Sequence, residues 1–328
     1  MMLTFVDLFC GGGFGARGAV NAGATPLLAV DAWELATETY KQNFRTAQVL
    51  CSKIEDLKPY ELAQQFKPDV LLTSPECTSH SIARGSRPGC EKSKETALGI
   101  LPWIDAMSPR WVIVENVPRM KRWERHADLI SDIEGAGYRV SPLVLNAADF
   151  GAPQARKRMF LVCDKHQTSV TEEELLALSR SRKKSAASII DRSGKYKSRP
   201  LRSPKRAQAT LERAERAISA LGLNKDFLIV YYGSDYAGGW QRLEDPLRTV
   251  TTLDRFGLVT WHNGEPYLRM LQPSELVKAM GAGTKHQLNA GNRRDKVKLC
   301  GNGVCSPVTE IIFRKINAVV HSELGLVS

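Results

Sequence analysis

The sequence predicts an α/β protein with a mainly parallel sheet and a second, smaller domain. Short apolar strands alternate with helical patterns through the first half of the chain, as they do in βαβ units. After Asp164 the sequence becomes basic, with recurring serine, proline and glycine, and its later strands indicate separate β structure. A final helix returns to the earlier pattern. We therefore place one domain at residues 1–164 plus 300–328 and an inserted domain at residues 165–299.

The predicted elements follow from apolar runs for strands and from helical spacing of apolar residues for helices. In the first domain the predicted strands cover residues 3–8, 26–30, 69–74, 111–114, 138–145 and 158–163. One predicted helix in this domain ends near Gly23, and the others cover residues 34–44, 95–107, 122–136 and 307–321. The inserted domain has predicted helices over 172–184 and 204–221 and predicted strands over 227–232 and 258–262. The second of these helices carries Ala207, Leu211, Ala214, Ile218 and Leu221 on one face.

Composition narrows the class of protein. Of 328 residues, 43% are hydrophobic and 25% are charged, as in soluble globular proteins. The chain has no apolar run long enough to span a membrane, and its N-terminus lacks the features of a signal peptide. The seven cysteines are odd in number, scattered and without a CxxC pair. We expect a cytoplasmic protein in a reducing compartment, without a metal site.

An excess of positive charge indicates a polyanionic partner. The net charge is +11, and nucleic acid is the first candidate, with a merely basic soluble protein as the alternative. Residues 180–206, which we call the basic run, hold eleven Lys or Arg residues and one acid, Asp191. We expect the basic run to contact the DNA backbone, and the alternative is a solvated loop.

Cys77 is a candidate nucleophile because of its position. An apolar strand ends at Ser74-Pro75, where the proline directs the chain out of the sheet. Ligands and chemistry collect beyond the carboxyl ends of strands in open α/β sheets, and a thiol there can act as a nucleophile. The alternative is a small buried hydrophobe, although the loop that follows, residues 78–81, is polar.

A glycine-rich turn follows the first strand. It runs Asp7-Leu8-Phe9-Cys10-Gly11-Gly12-Gly13-Phe14-Gly15 and lets the backbone approach a ligand closely. Asp31 ends the second strand, where an acid binds ribose hydroxyls in dinucleotide folds. The turn lacks both the GxGxxG spacing and a P-loop lysine. Together the turn and the acid indicate an adenosine-containing cofactor.

Two further motifs place charged side chains at strand ends. Glu115, in Glu115-Asn116-Val117, is a candidate acid or base in a cleft, with a helix cap or loop acid as the alternative. Arg156 and Arg158 alternate in Gln154-Ala155-Arg156-Lys157-Arg158, so they share a strand face suited to an anion or a base. The alternative for this segment is a basic edge strand.

The order of these motifs resembles that of the DNA (cytosine-5) methyltransferase family. The chain carries, in order, Asp7-Leu8-Phe9-Cys10-Gly11, Ser74-Pro75-Glu76-Cys77, Glu115-Asn116-Val117, Gln154-Ala155-Arg156-Lys157-Arg158, Arg269-Met270-Leu271-Gln272-Pro273-Ser274-Glu275 with Met280-Gly281, and Gly301-Asn302-Gly303-Val304. The segment from about 165 to 267 does not match, and there the family keeps its variable target-recognition region. The resemblance implies a Rossmann-like S-adenosylmethionine-dependent methyltransferase fold with a smaller inserted target-recognition domain.

The resemblance also implies a role for each matched residue. Cys77 would add to C6 of a flipped-out cytosine in double-stranded DNA, so that C5 can accept a methyl group from S-adenosyl-L-methionine. Glu115 would act at N3, and Arg158, together with Arg156, would hold the base and Glu115. The implied cofactor-binding residues are Asp7, Phe9, Cys10, Gly11, Gly13, Asp31, Ala32, Trp33, Pro75 and Asn302.

Phe14 and Gly15 are transposed relative to the family's glycine loop, Ala32 stands at its adenine-stacking position, and two charged residues also depart from the family pattern. Glu76 stands where the family usually has proline, and a carboxylate beside the nucleophile should raise the pKa of the thiol unless an arginine neutralises it. Lys53 stands where the family has its adenine-contacting acid. These departures concern the adenine pocket and the reaction rate, and they leave Cys77, Glu115 and Arg158 intact.

Three alternatives stay open. An RNA cytosine-5 methyltransferase could share the fold and the thiol, although an insert of about 100 residues favours duplex DNA. A catalytically silent DNA-binding relative is the alternative from another class, and a nucleotide-dependent oxidoreductase is more distant. We expect a monomer without membrane contact, with a cognate restriction endonuclease as a candidate partner. The target DNA sequence cannot be read from the chain.

Overall fold

Seven strands form a mixed sheet at the centre of the molecule. The structure, a computed structural model, describes residues 2–75, 96–179, 181–233 and 238–325. The strands in these ranges are β1 (Thr4–Leu8), β2 (Thr25–Asp31), β3 (Gln48–Cys51), β4 (Val70–Thr73), β5 (Trp111–Asn116), β6 (Arg139–Asn146), β7 (Gln154–Ala155), β8 (Lys157–Asp164), β9 (Arg199–Pro200), β10 (Phe227–Val230), β11 (Trp240–Arg242), β12 (Leu247–Arg248), β13 (Phe256–His262) and β14 (Glu265–Met270). The central sheet has the order β3-β2-β1-β4-β5-β8-β6 and is parallel from β3 to β5. The predicted α/β class with a mainly parallel sheet is therefore confirmed.

Helices and their side chains cover both faces of the central sheet. The helices in the described ranges are α1 (Phe14–Asn21), α2 (Glu34–Asn43), α3 (Pro59–Gln65), α4 (Leu101–Met107), α5 (His126–Gly135), α6 (Glu172–Ser179), α7 (Gln208–Leu221), α8 (Pro273–Ala279), α9 (Arg293–Asn302) and α10 (Ser306–Glu323). Successive residues of β5 point to opposite faces, so Ile113 joins one core with Phe313 of α10, and Val112 joins another with Trp103 of α4. No helix in the described ranges has both the length and the apolar character needed to cross a membrane.

The carboxyl ends of the five parallel strands meet at one edge of the central sheet, which we call the carboxyl edge. The chain order reverses beside β1, because β2 lies on one side of it and β4 on the other. Open α/β sheets bind ligands at such a point. Strand β8 runs antiparallel to β5 and pairs Phe160 with Glu115 and Met159 with Asn116. The carboxyl edge therefore collects the ends of β1, β2, β4 and β5 together with the beginning of β8.

A separate antiparallel sheet lies within residues 199–270. Its order is β11-β10-β13-β14-β9, and α7 packs on it, with Ala214 and Ala217 in one cluster with Phe227 and Val259. Strand β12 follows β11 in the chain, yet it pairs in parallel with β7 rather than within this sheet. This pairing brings the inserted region directly against the segment that holds the two motif arginines.

The helix predicted over 122–136 begins later in the structure. A 3-10 helix covers Pro118–Arg122, and α5 begins only at His126. Between them Trp123 has an extended backbone and a buried side chain.

The helix predicted over 172–184 is also shorter, because α6 ends at Ser179. Beyond it, Ser181 lies so close to Gly151 that a Cβ on the glycine would be 2.9 Å from the Ser181 Cβ. Lys183 then pairs with Asp149 at 3.0 Å. These contacts hold the chain along a neighbouring turn instead of in a helix. Strands β3 and β14 were not predicted, since β3 is a short edge strand and β14 follows β13 after a tight turn.

Candidate active site

The turn after β1 has a tightly constrained backbone. Phe9 and Gly11 have positive φ angles of 57° and 51°, and Gly13, with φ 79°, directly precedes α1. A Cβ on Gly13 would lie 2.5 Å from a ring carbon of Phe44, so only glycine fits without a shift. The Gly13 N–H donates to the carbonyl of Cys10 at 3.0 Å. The turn therefore presents backbone, rather than side chains, at the carboxyl edge.

Asp31 joins this turn to the end of β2. Its Oδ2 accepts a hydrogen bond from the Gly11 N–H and its Oδ1 from the Trp33 N–H, both at 2.8 Å. Burial raises the pKa of Asp31, and the two N–H donors and Lys298 oppose this shift. Each carboxylate oxygen can accept a second hydrogen bond. Asp31 is thus fixed in place and keeps acceptor capacity for the hydroxyls of a ribose, which fits the predicted adenosine-containing cofactor.

Asp7 and Cys10 lie behind the turn. Both are buried, at 4% and 8% exposure. Burial raises the pKa of the Asp7 carboxyl and of the Cys10 thiol well above their usual ranges, so the thiol stays protonated at neutral pH. These two residues of the predicted cofactor set shape the turn from inside rather than presenting charge to the cleft.

Ala32 and Trp33 follow Asp31 at the surface. Ala32 is exposed and Trp33 is half-buried. The Lys298 ammonium of α9 lies 4.3 Å from the centroid of the Trp33 ring, which is cation–π distance. Lys298 was not predicted, because nothing in the sequence relates it to a residue 265 positions earlier. It adds a positive charge beside the carboxylate of Asp31.

The end of β4 leads toward the predicted nucleophile. The Ser74 N–H donates to the carbonyl of Leu8 at 3.2 Å, and Pro75 is buried at the carboxyl edge. The Asn116 side chain donates to the Pro75 carbonyl at 3.4 Å, which ties the end of β4 to the end of β5. Cys77 itself, together with Glu76, lies outside the described residues. Pro75 is therefore the last described residue before Cys77, and Asn116 bonds to its carbonyl.

Glu115 and Arg158 form an ion pair at the carboxyl edge. The distance between Arg158 Nε and Glu115 Oε1 is 3.1 Å, and the two side chains are 18% and 9% exposed. Arg158 reaches Glu115 because it lies two residues before Phe160, the residue paired with Glu115 across β5 and β8. Burial raises the pKa of Glu115, and Arg158 and then Arg156 oppose this. A partly neutralised, buried carboxyl with a raised pKa can hold a proton for transfer.

Arg156 has a different environment from Arg158. It is 2% exposed and donates to two backbone carbonyls, Val250 O at 2.8 Å and Gly301 O at 2.7 Å. Burial lowers the pKa of Arg156 to about 10, so it is still charged at neutral pH. The neighbouring Gln154 accepts from the Val250 N–H at 2.8 Å. We call Gln154 and Arg156 the brace, because they fasten Val250 and Gly301 to the start of β8.

Asn302 is the last residue of α9 and is exposed. On one side of it, Gly301 lies against the backbone of Thr251, where a Cβ would be 2.4 Å from the Thr251 carbonyl carbon. On the other side, Gly303 lies against the ring of Phe14, the first residue of α1. The segment that holds Asn302 therefore touches both the inserted region and the helix after the glycine-rich turn.

His286 is a second residue that the sequence did not single out. Its ring centroid lies 4.4 Å from that of Phe14, and the side chain is buried. Burial and, next, Arg17 lower the pKa of His286 to about 3, so the imidazole is neutral. A lone histidine in a loop carries no sequence signal of this contact. Its place behind α1 makes it part of the wall that supports the turn.

Comparisons with known proteins agree with this arrangement. The chain is 32% identical over 161 residues to the type II methyltransferase M.HgiDI of Herpetosiphon aurantiacus, covering 49% of this chain and 52% of that protein. It is 29% identical over 168 residues to a human tRNA (cytosine(38)-C(5))-methyltransferase, covering 49% and 42%. A candidate DNA modification methyltransferase encoded within a prophage (E. coli) superposes with a TM-score of 0.70 at 15% identity, covering 97% of this chain and 99% of that one. The chain thus matches about half the length of these curated relatives, and its fold matches throughout.

A family model described as C-5 cytosine-specific DNA methylase matches residues 3–318. This match confirms the predicted family and methyltransferase fold, and with them the class of enzyme and the cofactor of that family, S-adenosylmethionine. Because the match covers nearly the whole chain, the protein belongs to the C-5 cytosine-specific DNA methylase family.

Proposed function

We propose that this protein methylates carbon 5 of a flipped-out cytosine in a specific double-stranded DNA sequence, through a covalent adduct between Cys77 and C6. The observation that carries the proposal is the buried ion pair of Glu115 and Arg158 at the carboxyl edge. It lies next to the end of β4, the strand that leads to Cys77, since Asn116 bonds to Pro75. An acid, an arginine and a nucleophile-bearing turn are thereby supplied by three adjacent strands.

The chemistry requires each of these side chains at a stated atom. The Cys77 thiolate would form a bond to C6, while Glu115 places a proton on N3 and so neutralises the charge that reaches the ring. C5 is then the nucleophilic carbon of an enamine and can take up a methyl group. The C5 proton then passes to a base, Cys77 leaves as its thiolate and the N3 proton returns to Glu115, which restores the aromatic ring. Arg158 would orient Glu115 and contact the base.

The cofactor would lie against the turn after β1 and the end of β2. S-adenosylmethionine, when bound, supplies the methyl group from a positively charged sulfur. Asp31 would accept hydrogen bonds from the ribose hydroxyls, for which it keeps lone pairs. Phe9 and Gly11 would contact the cofactor through the exposed side of the turn. We assign the remaining contacts to Gly13, Ala32, Trp33, Pro75 and Asn302, with Asp7 and Cys10 supporting the turn from behind.

Residues 165–299 would recognise the target sequence, and residues 1–164 plus 300–328 would carry catalysis. The support for this division is the separate antiparallel sheet within residues 199–270. A flipped base requires that the duplex be held on both sides of the cleft. We also propose that the active form is a monomer, and a cognate restriction endonuclease remains a candidate partner.

A covalent trap tests the proposed mechanism. DNA containing 5-fluorocytosine has no C5 proton to lose, so the adduct should accumulate when S-adenosylmethionine is present. We expect a complex that survives denaturing electrophoresis, and mass spectrometry should place the base on Cys77. Cys77→Ala should abolish the complex.

Cys51 provides the matched control for the trap. It is an exposed free cysteine in β3, so Cys51→Ala should leave the trapped complex unchanged. An adduct that persists in Cys77→Ala, or that maps to another cysteine, would contradict the assignment of the nucleophile. Absence of any adduct in the unmodified protein, with DNA still bound, would favour a catalytically silent relative.

An RNA cytosine-5 methyltransferase is the second candidate function, because one relative is named as a tRNA methyltransferase. Transfer of labelled methyl groups to plasmid DNA and to tRNA, measured side by side, separates the two. We expect incorporation into plasmid DNA only. Incorporation into tRNA alone would replace the proposed substrate and keep the proposed chemistry.

A further inference from the structure

Four cations follow the candidate acid within ten residues of the chain. Arg119, Lys121, Arg122 and Arg125 lie in and just after the 3-10 helix Pro118–Arg122, and all four are exposed. We call residues 118–125 the basic turn. Since β5 ends at Asn116, the basic turn leaves the central sheet at the carboxyl edge, directly beside the Glu115–Arg158 pair. It is distinct from the basic run, which lies more than fifty residues later.

The cations of the basic turn stand on a fixed support. Met120 and Trp123 are buried, at 1% and 5% exposure. The Met120 N–H donates to Val117 O at 3.0 Å, and the Trp123 N–H donates to Met120 O at 2.9 Å. Met120 lies within the 3-10 helix and Trp123 directly follows it, so buried side chains fix both the helix and its end. A turn anchored in this way presents its charged side chains from a set position.

The positive charge of the basic turn is largely uncompensated. Among the described residues, no carboxylate lies within salt-bridge distance of Arg119, Lys121 or Arg122, and Arg125 has only a 3.5 Å contact to exposed Asp128. Arg119 and Arg122 are three residues apart, and side chains at that spacing lie over one another in a 3-10 helix. Like charges so placed repel each other. An anion between them would relieve that repulsion.

Three cations of the basic run differ in this respect. Lys183 pairs with Asp149 at 3.0 Å, Arg192 with Asp226 at 2.9 Å and Arg202 with Glu215 at 3.2 Å. Their positive charges are already matched by acids of the same chain. We therefore expect these three to contribute less to phosphate binding than the other cations of the basic run, and they supply a control set of the same number.

We propose that the basic turn binds backbone phosphates of the nucleic acid beside the flipped cytosine. This inference rests on the proposed function and adds a strand-holding site to it. Several cations along one short turn suit a polyanion with repeated phosphates better than a single small anion. Held at the carboxyl edge, they would fix the sugar-phosphate chain on which the target base has rotated toward Glu115.

The test is the salt dependence of DNA binding. Affinity of the full chain for a DNA duplex, with S-adenosylhomocysteine present, is measured between 50 and 200 mM salt for two triple variants. The first is Arg119→Gln/Lys121→Gln/Arg122→Gln, and the control is Lys183→Gln/Arg192→Gln/Arg202→Gln. Each phosphate contact contributes about 0.9 to the slope of log affinity against log salt. The first variant should therefore lose about 2 to 3 in slope, so that over this range the unmodified protein loses roughly 40-fold more affinity than the variant does.

The control triple should change the slope by less than about 1, because the cations that it removes are already paired with acids in the unmodified protein. An unchanged slope in the first triple, with normal thermal unfolding, would overturn the inference. Equal losses of slope in both triples would overturn it too, since the overall positive charge of the protein would then explain the salt dependence. The proposed function fails separately, if the unmodified protein forms no 5-fluorocytosine adduct. The first triple should still form that adduct at low salt.

Discussion

Arg156 and Arg158 stand two residues apart in one motif, yet they perform different physical tasks. Arg158 meets the buried carboxylate of Glu115 at 3.1 Å, at an edge where a base could enter. Arg156 meets two uncharged backbone carbonyls and is closed off from solvent. The first pair tunes a titratable group. The second fastens two distant segments of the chain to the start of β8.

The difference shows that a shared sequence motif does not imply a shared role. Alternation in the sequence predicted one strand face for both arginines, but Arg156 lies between β7 and β8 and only Arg158 lies within a strand. The role of each arginine is decided by the partner that the tertiary structure supplies. This partner is an acid for Arg158, and it is the carbonyls of Val250 and Gly301 for Arg156. We therefore expect changes at Glu115 and Arg158 to act on catalysis, and changes at Arg156 to act on stability.

The largest expected effect is the loss of activity in Glu115→Gln. Gln cannot deliver a proton to N3, so kcat/KM for methyl transfer should fall by about 10²- to 10⁴-fold, the usual contribution of a general acid. The measurement is single-turnover transfer of labelled methyl groups to DNA. Glu134→Gln is the matched control, because Glu134 is an exposed acid of α5, outside both the site and the basic turn. It should retain full activity, and a loss below tenfold in Glu115→Gln would remove Glu115 from the proposed role.

The next effect separates the two arginines by stability. Arg156→Met would leave Val250 O and Gly301 O buried without their donors. A buried polar group that loses its partner costs about 1–3 kcal/mol, so the free energy of unfolding should fall by about 3 kcal/mol or more. Arg158→Met should cost less than half as much, because Glu115 can bind a proton once its partner is gone.

Urea denaturation measures both variants, and activity per folded molecule completes the comparison. At a temperature where both are folded, Arg158→Met should lose most of its activity and Arg156→Met should keep most of it. Equal losses of stability in the two variants would mean that the brace and the ion pair are equivalent. The division of roles drawn from their partners would then be wrong.

The sequence predicted strand-end positions for Glu115 and Arg158 but not the contacts of the brace. Glu115 and Arg158 end or begin strands with clear apolar patterns, so their meeting at the carboxyl edge follows from strand order. Arg156 bonds to carbonyls 94 and 145 residues away, and backbone acceptors have no residue identity to recognise. Lys298 over Trp33 was missed because the two residues lie far apart in the chain and meet only in the fold. Strands of two to four residues, such as β3, β7 and β12, are too short to show a period.

The smallest expected effect is the pH dependence of stability that Glu115 contributes. Burial raises the pKa of Glu115 above its usual value, although Arg158 opposes this. A raised pKa means that the stability contributed by the protonated form is present below the unfolded pKa and is lost as pH rises through the folded pKa. Glu115→Gln cannot ionise and does not lose this stability. The difference between its free energy of unfolding and that of the unmodified protein should therefore increase as pH rises. One pKa unit corresponds to about 1.4 kcal/mol.

Urea unfolding of both proteins from pH 4 to pH 8 measures this difference. Arg158→Met keeps Glu115 but removes its cation, so the larger of the two influences that lower the pKa of Glu115 is gone. The same change in stability should therefore occur at higher pH. Arg156→Met should move it less, since Arg156 is the weaker of the two influences on Glu115. A difference that stays flat, or that falls as pH rises, would mean that the ion pair already holds Glu115 ionised. Another group would then have to protonate N3, and the catalytic role assigned to Glu115 and Arg158 would be wrong.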